Sequence, residues 1–275
     1  MSDPNDGNAG NGFHDSYHVP PFFVYGVASG FVGFFVVFHF MRVVLIPRFA
    51  TPSFRKQIAS FKTRKETTFF YATFPSMIHA LVQCLSIRCL YSAAHNSNHV
   101  THFDDGWPAC FSGIFVGYLT ADIFACGPAD LGPGYIFHHV TAIVTWTWVA
   151  CLGAMQWYAS LLQFCEFSTI FMNIRQWVLT AGYSSSSPIT MVVSILFFLS
   201  FFAVRVIPLP TLVYQWVTND FVKLYDEKGK AVAMASSSAM LVHVVLQSFW
   251  FMLMVKKIAK LVLSSGDRKK SKREE

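Results

Sequence analysis

The stretch ITMVVSILFFLSFFAVRVIPLPTLVY, residues 189–214, holds a single charged residue, Arg205. Wound as an α-helix at ~1.5 Å per residue it spans ~39 Å, more than the ~30 Å of bilayer hydrocarbon. Its Phe, Leu and Val residues come in runs instead of at alternating or helical-face spacing, so the helix is apolar on most sides. Lipid is the solvent for such a helix, and an arginine inside it needs a partner, a cavity or a route to the surface.

The rest of the chain repeats that pattern. Of 275 residues 53% are hydrophobic and 13% charged, more apolar side chain than a soluble domain of this size can hide. Spans are expected at residues 22–46, 69–91, 109–126, 135–154, 156–178, 189–214 and 236–262. The expected fold class is therefore all-α, a polytopic membrane helical bundle of about seven transmembrane helices. Gly127-Pro128, Gly132-Pro133-Gly134 and the Ser184–Ser187 run with Pro188 punctuate it, whereas only Gly153 to Trp157 divides 135–178 into two spans. Pro208 and Pro210 are expected to kink or end the sixth helix.

The net charge of +6 reads as topology and gives no ground for nucleic-acid binding, because most basic residues flank spans, in segments 42–65 and 256–273. Loop 42–65 carries Arg42, Arg48, Arg55, Lys56, Lys62, Arg64 and Lys65, and 92–108 carries no Lys or Arg. The positive-inside rule then puts the first loop and the C-terminal tail in the cytosol and the N-terminus in the lumen. Arg88, Lys223, Lys228 and Lys230 count against this and are outnumbered. The first 20 residues show no cleavable signal pattern, so the first span is expected to act as the targeting signal. The chain ends Lys272-Arg273-Glu274-Glu275, which approximates a dibasic retrieval tail and fits the endoplasmic reticulum or another internal membrane; it also reads as a plain solvated tail. The six cysteines lie in or beside apolar stretches, and no disulfide framework is expected.

Ionisable residues at membrane depth are the candidate site. His79 lies mid-span in the second helix, Asp122 near the cytosolic end of the third, and His138 and His139 one turn into the fourth. Glu166 is near the middle of the fifth, with Asn173 and Arg175 below it, Arg205 in the sixth and His243 in the seventh. The short connection 127–134 lets Asp122 pack beside one of the adjacent histidines, where a carboxylate fixes the imidazole tautomer and raises its basicity. Each such residue also has a plainer reading, an interhelical hydrogen bond that glues the bundle. Taken together the set points to a polar cavity. His95 and His99 have i, i+4 spacing near His102, Asp104 and Asp105, yet they belong to a polar external loop without a second motif, so no metal is expected. They also fall on the opposite side from His138 and His139, which removes a di-iron hydroxylase. His39 reads as packing.

Gly117-Tyr118 followed by Asp122, the His138-His139 pair opening a span, then Glu166, Asn173 and Arg175, then Phe201-Phe202 with Arg205 and Pro208 resembles the TLC-domain family. Ser76 to Ala80 resembles the start of its first core helix. The resemblance implies a polar tail (1–21), a first helix with its basic loop (22–61), a six-helix core (62–262) and a basic tail (263–275). It also implies a role in membrane-lipid homeostasis, of sphingolipid, ceramide or phospholipid acyl composition. The ceramide-synthase branch implies acyl transfer from acyl-CoA to a sphingoid base. There His138 or His139 would be base or acyl acceptor, Asp122 its partner and Glu166 a second acid/base group, with acyl-CoA as co-substrate and no other cofactor. His79, Asn173, Arg175 and Arg205 would line the lipid site. This chain has Cys165-Glu166 where that branch has His-Asp, and Thr169 where it has a later Asp, and it lacks a soluble insert between its first spans. Those departures bring it closer to the small TLC-domain proteins and favour a non-catalytic lipid sensor, carrier or cargo factor beside the enzyme reading.

Overall fold

A backbone polar group left bare in hydrocarbon costs several kcal/mol, so each apolar run closes its own hydrogen bonds as a helix. A computed structural model describes residues 19–94, 100–101, 106–127 and 132–274. Its helices are α1 (Pro21–Phe49), α2 (Pro52–Ala59), α3 (Arg64–Cys84), α4 (Ile87–Ala94) and α5 (Trp107–Cys126). They continue as α6 (Pro133–Leu152), α7 (Gln156–Phe164), α8 (Phe167–Thr180), α9 (Pro188–Lys228) and α10 (Lys230–Glu274). Six stretches, α1, α3 continued to Cys89, α5, α6, α9 and α10 to Ala259, are long and apolar enough to cross a membrane. Between α6 and α9 the chain runs through α7 and α8, of 9 and 14 residues, each shorter than those six.

Local chemistry sets several ends. Thr63 caps α3 through a capping box with Glu66: the Glu66 amide donates to Thr63 Oγ1 at 3.2 Å and the Thr63 amide to Glu66 Oε2 at 3.3 Å. The turn between α6 and α7 uses left-handed conformations at Gly153 (φ 59°) and Met155 (φ 67°), and the Met155 amide donates to the Val100 carbonyl at 2.8 Å. That turn ends α6 and starts α7 at the place where the sequence divides 135–178.

Four expectations need correction. The fifth span is not one helix: it breaks at Cys165–Glu166, where amides of Glu166 and Thr169 bond to carbonyls three residues back, Gln163 and Glu166, at 3.0 and 2.9 Å. The second span breaks likewise at Leu85–Ser86, with Ser86 bonded to Gln83 at 2.9 Å. Pro208 does not end the sixth helix. A π-helical turn over Phe202–Val206 precedes it and absorbs the missing N–H, and the Val204 carbonyl accepts from the Cys165 thiol at 3.1 Å. The segment expected as a loop, with Lys223, Lys228 and Lys230, is a helical hairpin: α9 runs on to Lys228, turns at Gly229 (φ 87°), and α10 begins at Lys230 instead of 236 and continues past 262. Apolar runs mark where lipid lies, whereas helices persist into water wherever their residues tolerate it.

In packing, α3, α5, α6, α10, α9 and α8 contact one another in that cyclic order, so they form a ring. The short α7 packs on α3, α4, α5 and α6 and so fills the interior of the ring at the end away from loop 50–63. Outside the ring, α1 lies parallel to α5 with backbones touching. A Cβ on Gly26, Gly30, Gly113 or Gly117 would overlap main-chain atoms of the facing helix. Two Gly-xxx-Gly faces thus meet, the small-residue solution to helix packing in lipid.

Candidate functional site

The side chains that the ring turns inward are polar. Asp122 on α5 and His139 on α6 are 6% and 3% exposed, and His139 Nε2 lies 2.9 Å from Asp122 Oδ2. The other ring nitrogen, Nδ1, lies 2.9 Å from the Tyr135 carbonyl oxygen, which can only accept, so Nδ1 carries a proton. One further proton then sits between Nε2 and the carboxylate, and the Cys126 thiol donates to Asp122 Oδ1 at 3.4 Å. The expected pairing across the hairpin is present. It commits both nitrogens of His139, so in this arrangement that ring has no lone pair free for a substrate.

Glu166, at the α7–α8 break, pairs with Arg205 from the π-turn of α9. Their side chains are 12% and 11% exposed, with Arg205 Nη2 3.3 Å from Glu166 Oε1. Arg205 spends its donors locally: Nε on the Cys165 carbonyl (3.1 Å) and Ser168 Oγ (2.8 Å), Nη1 on Gln247 Oε1 (3.3 Å), and Nη2 also on Thr169 Oγ1 (3.4 Å). The break that exposes the Cys165 carbonyl is therefore the place where the guanidinium docks. The Phe201 ring lies 5.3 Å beneath it.

Two imidazoles remain open. His79 on α3 is 5% exposed, and neither ring nitrogen has a hydrogen-bond partner among the described residues. Its ring stacks on Tyr118 of α5, centroids 3.9 Å apart and planes 9° apart, and lies in the fields of Glu166, Asp122 and His139. His138 is half-buried, edge-on to His139 at 5.7 Å, in the fields of Arg205, Glu166 and His243, and makes no hydrogen bond to the described residues through its ring. His243 donates Nδ1–H to the Ala239 carbonyl at 2.9 Å and stands against Trp146.

Of the eight sequence candidates, His79, Asp122, His138, His139, Glu166 and Arg205 come together. Asn173 is at the wall: its Nδ2 donates to Ser76 Oγ at 3.0 Å, and one turn on Trp177 Nε1 donates to Thr73 Oγ1 at 2.6 Å, which ties α8 to α3. Arg175 is not with them; its Nε donates to Ser194 Oγ of α9 at 2.9 Å, on another face of α8. Sequence reading passed over Ser168, Gln247 and the stacking role of Tyr118, and took Thr169 only as the replacement of an Asp. Tyr118 had a signal, since it stands four residues before Asp122 on one helix face. His95, His99, His102, Asp104 and Asp105 lie outside the described residues. Among the described residues no three His, Cys, Asp or Glu converge as a metal site, and no disulfide joins any of the six cysteines.

In comparisons with known proteins, the family model of the TLC domain matches residues 67–256, which covers α3 to α10 and leaves α1 outside. TLC domain-containing protein 4-B of Xenopus laevis is 29% identical over 143 residues, 49% of this chain and 53% of that protein. TLC domain-containing protein 4-B of Danio rerio is 26% identical over 199 residues, 68% of this chain and 70% of that protein. The chain thus spans about half the length of the frog relative it matches. No solved structure matches it.

Proposed function

Because this chain belongs to the TLC-domain family, we propose that it acts in membrane-lipid homeostasis by holding a lipid headgroup inside its helix ring. The observation that carries this reading is the convergence of His79, Asp122, His138, His139, Glu166 and Arg205 from separate helices onto one buried locus, with two imidazoles uncommitted. Polar groups that only glue helices end in mutual hydrogen bonds, and those that bind a ligand keep some free. The basic loop orients the chain with N-terminus in the lumen and C-terminus in the cytosol of the endoplasmic reticulum or another internal membrane. Native mass spectrometry of the full chain in neutral detergent tests the headgroup site. One retained lipid per chain is expected, lost in the Asp122→Asn/His138→Ala double variant; no lipid, or equal retention by the variant, contradicts it.

A second reading is acyl transfer from acyl-CoA to a sphingoid base, and the free ring of His138 favours it. The amine nitrogen would attack the thioester carbonyl, its proton would pass to His138, and the CoA thiolate would leave. Among the candidates His138 is better placed as base than His139, whose nitrogens Asp122 and Tyr135 occupy. Incubation of purified protein with acyl-CoA and a sphingoid base should give amide product that His138→Ala loses. Absence of product from the native protein leaves the non-catalytic carrier or sensor.

A further inference from the structure

The charges at the site are already spent on each other. Asp122 is matched by His139 and Glu166 by Arg205, and all three guanidinium nitrogens donate to groups of the chain. A phosphate buried here would need a cation with free donors, and on Arg205, the cation whose field reaches the cluster, every nitrogen already donates within the chain, with at most one Nη1 N–H to spare. A headgroup ammonium would likewise find both carboxylates taken. What the site leaves open is imidazole: the half-buried ring of His138 and, more deeply buried, the two nitrogens of His79, on a ring stacked on Tyr118. A neutral imidazole presents one donor and one acceptor, on opposite edges of the ring. The chemical complement of that pair is an acceptor at one edge and a donor at the other, which hydroxyl and amide groups supply without charge.

Resting on the headgroup reading, we propose that the lipid this site takes carries an uncharged hydroxyl- or amide-bearing headgroup, held by His79, and that phosphate-bearing lipids are excluded. The class includes diacylglycerols and N-acyl amino alcohols. His79 recognises the headgroup through hydrogen bonds alone, and the two ion pairs act as neutral walls. A charged headgroup entering between them would lose its hydration without gaining a counter-charge.

The test uses the full chain in neutral detergent and a diazirine-tailed diacylglycerol as photolabel, competed with unlabelled diacylglycerol or with phosphatidic acid of the same acyl chains. Equal tails isolate the headgroup. The uncharged competitor should act at a concentration at least about tenfold lower than phosphatidic acid, a factor of ten being about 1.4 kcal/mol. His79→Phe, which keeps an aromatic ring against Tyr118 and removes both nitrogens, should lower labelling by about tenfold or more, and His79→Gln, which restores a donor and an acceptor, should recover part of it. Equal or better competition by phosphatidic acid, or native labelling of both His79 variants, overturns the inference and leaves the headgroup site standing. Absence of saturable labelling by diazirine-tailed versions of both lipids overturns the headgroup reading as well.

Discussion

Ser76 and His79 stand three residues apart on α3, 8% and 5% exposed, and differ in what they meet. Ser76 Oγ accepts from Asn173, and the adjacent Thr73 accepts from Trp177, so the α3–α8 seam closes on itself. His79 faces α5 with neither nitrogen bonded to the described residues. Burial and polarity alone do not separate these two positions; hydrogen-bond completeness does. A polar group in hydrocarbon that is fully satisfied by the protein holds helices together, and one that the protein leaves unsatisfied is available to something else.

Substitutions can break this contrast, and their expected effects on stability fall in order. Arg205→Met leaves Glu166 as a buried uncompensated charge and should destabilise by about 3–5 kcal/mol, seen as loss of a monodisperse peak in size-exclusion chromatography. Adding Glu166→Gln should restore the peak; if it does not, the pair does more than neutralise itself. Asp122→Ala bares the Nε2 edge of His139 and should cost about 1–3 kcal/mol by thermal unfolding in detergent, with Asp122→Asn much milder. Asn173→Ala opens one bond of the seam and should cost about 0.6–1.7 kcal/mol. His79→Phe breaks no hydrogen bond to the described residues and exchanges unpaired polar atoms for an apolar ring, so it should not lower the unfolding midpoint.

The same contrast explains what could be read from the sequence. Long apolar runs disclose the spans because lipid demands them, and the short connection between α5 and α6 discloses Asp122 beside one of the two histidines, though not which, because few geometries join two antiparallel helices so closely. The pairing of Glu166 with Arg205 was not legible: the residues are 39 positions apart, and their meeting depends on the α7–α8 break and the π-turn of α9. Neither Leu85–Ser86 nor Cys165–Glu166 contains the Gly or Pro that announces a break. At the second of them the cause is tertiary, since the Arg205 guanidinium and the Ser168 hydroxyl both take the Cys165 carbonyl. Asn173 and Arg175 looked alike as candidates because both are polar at one depth, yet a separation of two residues turns them to different faces of α8, toward Ser76 and toward Ser194. The helical extensions of α9 and α10 were missed because hydropathy locates lipid and not helix ends.

The most direct test compares a bonded and an unbonded position in one experiment, with retained lipid per chain and unfolding temperature measured side by side for Asn173→Ala, which removes the partner of Ser76, and His79→Phe. The account predicts that Asn173→Ala unfolds at a lower temperature and keeps its lipid, whereas His79→Phe unfolds no lower than the native chain when both are stripped of lipid, and retains none. A His79→Phe protein that keeps its lipid, or an Asn173→Ala protein that loses it without loss of stability, would contradict the claim that the unbonded position, and not the bonded one, holds the headgroup.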